Sequence, residues 1–152
     1  MEPSLVGSFF KMIGHLIGIK VQRDERRIAA GIEFRNAFAS QLVGLYPTPT
    51  DWPKGTGIEH KLKAAYPALE NAVTAFRPFV PKRKQAKFDR AWLLFYSATK
   101  REGDHSYLHY LNFNSTWVSQ DSGYSHEMTD KTDGKKNFKR NVDRVLSFAR
   151  DV

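Results

Sequence analysis

The chain has 152 residues, no cysteine, and a formal net charge of +8 from 24 Lys and Arg against 16 Asp and Glu. That length suits one domain, which at this size buries roughly 70% of the surface of the unfolded chain. The absence of cysteine excludes a disulfide scaffold, a thiolate-bound zinc ion and a cysteine nucleophile. The net charge indicates an acidic partner, whereas composition alone names no activity.

The most apolar stretch lies near the N-terminus, over residues 5–21. A bilayer requires about 20 apolar residues, and a lysine near the centre of a spanning helix costs roughly 2.5–3.5 kcal/mol. Because this stretch is shorter and contains Lys11, two interpretations stay open: a core or interfacial helix, or a membrane-associated helix. In the second interpretation, the basic residues of 20–27 hold the remaining chain in the cytoplasm, at the inner membrane. The pair Gly14 and Gly18 predicts a homo-oligomer formed through this helix.

Apolar residues spaced i, i+3, i+4 and i+7 predict four helices in the rest of the chain. These stretches cover residues 28–45, 62–76, 88–96 and 138–149. Pro67 interrupts the second stretch, which predicts either a kink or the start of a further helix. The whole pattern predicts an all-α, single-domain bundle of about five or six helices. Residues 1–22 form its N-terminal apolar or amphipathic helix, and residues 23–152 form the helical globular domain.

The segment before the last helix has no clear period. The aromatic and polar residues of 105–118 fit a short helix or an irregular strand about equally. Residues 119–134 are rich in Ser, Thr, Asp and Gly, so they predict a long polar loop before the C-terminal helix. Loops of that length are uncommon in compact domains, and they are usually mobile or functional.

The charge is concentrated in particular segments. Residues 82–101 carry seven basic and one acidic residue, residues 102–130 carry five acidic and no basic residues, and residues 131–152 carry seven basic and three acidic residues. This segregation predicts two basic helical faces that bind an acidic partner, that pair with the acidic segment of the same chain, or that form only a solvated, solubilising surface. The candidate binding residues are Lys82, Arg83, Lys84, Lys87, Arg90, Lys135, Lys136, Lys139, Arg140 and Arg144.

Two kinds of partner fit these basic faces. The leading interpretation is a non-enzymatic interaction module that binds an acidic protein surface or an anionic membrane. A nucleic-acid-binding protein is the alternative, because lysine and arginine neutralise phosphates and Tyr107, Tyr110 and Trp117 are candidates for stacking on single strands. Lysine and arginine at 82–84, in the first turn of a helix, oppose the macrodipole, and this local penalty favours a binding role.

His105 and His109 are the weak candidates for metal binding or catalysis. On a helix, their spacing of four residues places both imidazoles on one face, as a zinc pair requires. Ser106 occupies the position of the general-base glutamate in the HExxH motif, so that motif is absent. The sequence contains no P-loop and no dinucleotide-binding motif, and we predict no cofactor. A small hydrolase or ribonuclease, or a metal-binding protein, that uses the two histidines is the remaining alternative.

From Arg26 onwards the chain resembles a group of small uncharacterised bacterial proteins. The segments that carry the resemblance are AGIEFRNAF at 30–38, FRPFV at 76–80, KFDRAW at 87–92 and VLSFA at 145–149. Proteins that are similar in this pattern often begin with a hydrophobic segment before the first basic helix, in the place of residues 5–21. The resemblance implies a helical fold, and it brings no activity, ligand or catalytic residue with it.

Overall fold

The computed structural model describes residues 5–111, 114–121, 124–131 and 133–150, and it describes side chains at residues 20–111 and 133–150. Four α-helices are present in this part of the chain. They are α1 (Leu5–Gln41), α2 (Gly57–Phe76), α3 (Lys82–Tyr96) and α4 (Gly134–Ser147). Two single turns of 3-10 helix accompany them, at Arg77–Phe79 and Leu108–Tyr110.

The predicted helical character is confirmed, but the described residues contain four α-helices instead of the predicted five or six. One reason is that the predicted N-terminal helix and the helix predicted over 28–45 are continuous in α1. No proline occurs between Pro3 and Pro47, so nothing in this span removes a helical hydrogen bond. The second reason is that α2 continues through Pro67, where no further helix begins.

Helix α1 is 37 residues long, or about 55 Å. It runs through residue 22, where the sequence analysis divides an N-terminal helix from a globular domain, and that division stays a prediction. None of the helices in the described residues is long and apolar enough to cross a membrane.

A two-stranded hairpin occupies most of the segment between the second 3-10 turn and α4. Strand β1 (Asn114–Asp121) pairs antiparallel with strand β2 (Tyr124–Lys131), and Trp117 lies opposite Met128 in the register. The prediction of a long polar loop over 119–134 is therefore wrong for most of that segment. Antiparallel pairing satisfies backbone N–H and C=O groups whatever the side chains are, so a polar composition alone does not exclude a strand.

Aromatic side chains from all four helices form the core. The largest fully buried ones in the helices are Phe38, Phe76, Phe88, Phe95 and Phe138. Phe34 of α1 stacks on Phe76 of α2 with ring centroids 4.5 Å apart, and Phe38 contacts Phe95 of α3 at 6.1 Å. The core therefore holds the C-terminal part of α1. Along residues 20–29, by contrast, every α1 side chain is exposed except the half-buried Arg27.

A buried hydrogen-bond network joins α4 to the end of α3. The Tyr110 hydroxyl donates to the carbonyl oxygen of Phe95 at 2.7 Å. The side-chain amide of Asn141 donates to that same hydroxyl and to the carbonyl oxygen of Leu94, each at 3.1 Å. The last carbonyl groups of a helix have no partner within the helix, so these side chains supply donors at the end of α3.

Candidate functional site

The first turns of α3 and α4, which carry the N-terminal lysines of the two predicted basic clusters, lie at opposite ends of the α3–α4 pair. Phe88 near the start of α3 contacts Phe148, just beyond α4, with ring centroids 5.3 Å apart. Asn141 in the middle of α4 bonds to Leu94 near the end of α3. These two contacts make the helices antiparallel, so the lysines in their two first turns do not share one surface.

The first turn of α3 instead meets α1. The two helices and the corner before α3 enclose a groove of about 610 Å³, which we call the basic groove. It is lined by Gln22, Arg23, Arg26, Arg27, Pro78, Phe79, Val80, Pro81, Lys82 and Gln85. No acidic side chain is among these lining residues. Because α3 has neither an acidic residue in its first turn nor a side-chain cap, the partial positive charge of its N-terminus adds to that of the cations.

Polar contacts stabilise the turn that precedes Lys82. The side-chain amide of Gln85 donates to the carbonyl oxygen of Val80 at 3.1 Å. The Arg77 guanidinium makes two hydrogen bonds of 2.8 Å to the Asp89 carboxylate. These bonds hold the pKa of Asp89 below its ordinary value and raise the pKa of Arg77. The charge of Arg77 is thus compensated within the protein.

The predicted cluster on α3 divides between different surfaces. Lys82 lines the basic groove, whereas Arg83 and Lys87 are exposed and lie outside its lining, as does the half-buried Lys84. Arg90 lines a smaller cavity of about 350 Å³ together with the acidic residues Asp89 and Glu102. Only one cation of this cluster therefore joins the arginines of α1.

The predicted cluster on α4 is partly neutralised by its own helix. Lys139 forms an ion pair of 2.6 Å with Asp143, which also accepts a hydrogen bond of 2.7 Å from the Tyr46 hydroxyl. Partial burial raises the pKa of Asp143, but the bonds from Lys139 and Tyr46 outweigh this and lower it overall. Burial and Asp143 raise the pKa of Tyr46 to about 12. Arg140 donates to the side-chain oxygen of Asn137 at 2.9 Å.

The other cations of α4 are dispersed. Lys135 lines a separate cavity of about 580 Å³ together with Lys54, Trp52 and Tyr110. Lys136 and Arg144 are exposed. Nothing in this arrangement concentrates positive charge as the basic groove does.

The two histidines do not lie on a common α-helix. Their four-residue spacing presupposes a helix, but His105 precedes the 3-10 turn Leu108–Tyr110, in which His109 lies. The centroid of the His105 ring lies 4.1 Å from the centroid of the Tyr66 ring and 5.0 Å from that of the Tyr96 ring. Both ring nitrogens of His109 are buried, and burial lowers the pKa of this imidazole, although the backbone groups of Phe95 and Leu94 act in the opposite direction. The described residues contain no group of three or more potential metal ligands.

Two of the aromatic side chains predicted to stack on nucleic acid belong to the core. Tyr107 and Tyr110 are both fully buried, so neither ring has an exposed face on which a base could stack, although Tyr110 also borders the cavity beside Lys135. Trp117 lies outside the described side chains.

The acidic segment is described at its start, where Asp104 bonds to its own loop. One carboxylate oxygen accepts from the Thr99 hydroxyl at 2.6 Å and from the Thr99 amide at 3.1 Å, and the other accepts from the Ser106 amide at 3.1 Å. These bonds lower the pKa of Asp104 to about 2. The acidic side chains at 121, 127 and 130 lie outside the described side chains, so their pairing with a basic helix stays a prediction.

The arginines of α1 are not among the candidate binding residues that the sequence predicts. Arg23, Arg26 and Arg27 follow the three- and four-residue spacing that places side chains on one helical face. That spacing is the sequence signal that could have identified them as a basic face. Their proximity to Lys82 depends on packing between segments far apart in the sequence.

Comparisons of the chain with protein-family models, with curated proteins and with solved structures find no match. The functional interpretation therefore rests on the geometry of the chain itself.

Proposed function

We propose that this protein is a non-enzymatic interaction module that binds an anionic membrane surface through the basic groove. The observation that carries the proposal is a juxtaposition. Arg23, Arg26 and Lys82 line one groove, and the apolar residues 5–19 continue the same helix directly beyond it. The basic groove thus lies at the base of an apolar helical segment.

This juxtaposition matches the two components of a membrane surface. Anionic headgroups attract basic residues with about 1 kcal/mol for each Lys or Arg near the surface. Apolar helical residues gain free energy by entering the boundary between headgroups and acyl chains. Stable attachment usually needs two such signals, and here they are adjacent on one helix.

The other anionic partners match only one of these components. A nucleic acid complements the cations of the groove but provides no apolar phase for residues 5–19. An acidic protein would need a separate apolar surface beside its acidic one, whereas a membrane supplies both together. Two of the three predicted stacking residues are buried, which further weakens the support for single-stranded nucleic acid.

Vesicle flotation tests the proposal with charge-reversal variants. We expect the wild-type protein to float with vesicles that contain phosphatidylglycerol and to remain in solution with pure phosphatidylcholine vesicles. The triple variant Arg23→Glu, Arg26→Glu, Lys82→Glu removes three attractive charges and adds three repulsive ones. At about 1 kcal/mol for each lost cation, its affinity for the anionic vesicles falls at least about 100-fold.

A matched control separates this site from net charge. The triple variant Lys135→Glu, Lys136→Glu, Arg144→Glu changes the charge equally, at residues outside the basic groove. We expect it to lose much less affinity. Equal losses in the two triple variants refute a localised site. Failure of the wild type to bind anionic vesicles refutes the proposal, and tighter binding to a single-stranded oligonucleotide supports the nucleic-acid alternative instead.

A further inference from the structure

An apolar groove continues from the basic groove along the surface between α1 and α2. It encloses about 500 Å³, and it shares Arg26 and Phe79 with the basic groove. Beneath it lie the buried rings of Phe34 and Phe76, which are stacked with centroids 4.5 Å apart and nearly parallel, at 13°. The two grooves form one continuous surface with a cationic end and an apolar end.

Short side chains create this second groove. Alanines line it on both helices, with Ala30 and Ala37 on α1 and Ala72 and Ala75 on α2. Because these side chains end at Cβ, they leave a depression between the helices above the buried rings of Phe34 and Phe76. Such a concave apolar surface gains free energy when a ligand removes it from water.

The charged residues are arranged asymmetrically along the groove. Arg26 lies at the end shared with the basic groove, and Glu33, the one acidic residue of the lining, is exposed two turns further along α1. An anionic group is therefore favoured at the Arg26 end and disfavoured beyond it. The part of the groove beyond Arg26 is therefore suited to an uncharged alkyl chain.

We infer that the joined grooves bind an anionic amphiphile with one alkyl chain. Its acidic headgroup contacts Arg23, Arg26 and Lys82, and its chain lies along the alanines that line the groove on α1 and α2. From Arg26 to Ala37 the groove spans eleven residues of helix, or about 16 Å, which is the length of an extended alkyl chain of about a dozen carbons. This inference uses the cations of the proposed function, and it adds a specific lipid site to them.

Isothermal titration calorimetry with alkyl phosphates tests this inference. Dodecyl phosphate and octyl phosphate, each below its micelle concentration, carry the same headgroup and differ by four methylenes. Full burial of each methylene raises affinity about fourfold, so we expect dodecyl phosphate to bind at least tenfold more tightly even in a groove that stays open on one side. Equal affinities mean that only the headgroup is bound, and they overturn the inference.

Filling the groove provides the matched variant. Ala75→Phe places a ring in the apolar groove and leaves every cation in place, so we expect the difference between the two phosphates to disappear. Ala39→Phe makes the same change at an exposed position of α1 outside the groove, and it retains the difference. Ala72→Leu is a second filling variant, and thermal melts of all three check folding. Discrimination that survives in folded Ala75→Phe and Ala72→Leu overturns the inference.

The same variants separate the lipid site from the proposed function. Ala75→Phe is expected to float with anionic vesicles as the wild type does, because the groove cations are unchanged. If the wild type fails to float but still discriminates between the two phosphates, the membrane proposal falls and the amphiphile site stands. If it floats but binds both phosphates equally, the amphiphile site falls and the membrane proposal stands.

Discussion

Replacing Asn141 by leucine is expected to destabilise the protein, although leucine is more apolar and of similar size. Asn141 is 5% exposed, and its amide donates to the Leu94 carbonyl and to the Tyr110 hydroxyl. Each bond contributes about 0.5–1.5 kcal/mol, and the buried carbonyl of Leu94 loses a donor. We expect a loss of about 2 kcal/mol in the free energy of unfolding, or roughly 4–8 °C in Tm.

Urea unfolding followed by circular dichroism measures this loss. Asn71→Leu is the matched control, because Asn71 is exposed on α2 and its replacement is expected to change stability by no more than about 0.5 kcal/mol. Combining Asn141→Leu with Tyr110→Phe is expected to cost less than the sum of the single variants, since both remove the same hydrogen bond. A leucine variant that is as stable as the wild type refutes the argument that this network stabilises the end of α3.

Two further predictions concern acid sensitivity and packing. Because the pKa of Asp104 is lowered, its carboxylate stabilises the fold fully above the unfolded-state pKa of about 4, and this contribution is lost as the pH falls through about 2. The urea midpoint of the wild type should therefore fall more steeply over this pH range than that of Asp104→Asn. Parallel curves contradict this expectation. Leu42 is fully buried, whereas Val43 is 71% exposed. In the same assay, Leu42→Ala should lower the free energy of unfolding by about 2–5 kcal/mol and Val43→Ala by no more than about 0.5 kcal/mol. Equal losses contradict this packing.

Helical periodicity in the sequence predicts most of the helical fold. The apolar stripes over 62–76, 88–96 and 138–149 coincide closely with α2, α3 and α4, because a buried helical face must repeat every 3.6 residues. The continuity of α1 was not predicted, since its glycines and charges interrupt the apolar pattern without preventing helical hydrogen bonds.

The segment between α3 and α4 shows where local pattern is insufficient. The histidine prediction assumed a helix, but Ser97 is extended and Tyr107 adopts a left-handed conformation with φ of 50°, so the chain there follows the packing of its side chains. Tyr107 and Tyr110 fill the core, and the polar residues that follow pair as a hairpin. A strand was one of the two alternatives that the pattern of residues 105–118 left open, and the periodicity did not decide between them.

The sequence by itself determined the helical class, the net charge of +8 and the segments that carry this charge. Those properties depend on residue identity and on spacing within single helices. Tertiary structure alone decided which charges act together: it joins Lys82 to the arginines of α1 and separates it from the lysines of α4. The physical reason is that core packing sets which helices lie side by side and in which direction. Residues distant in the chain therefore share one groove, while the first turns of α3 and α4 lie at opposite ends of their helix pair.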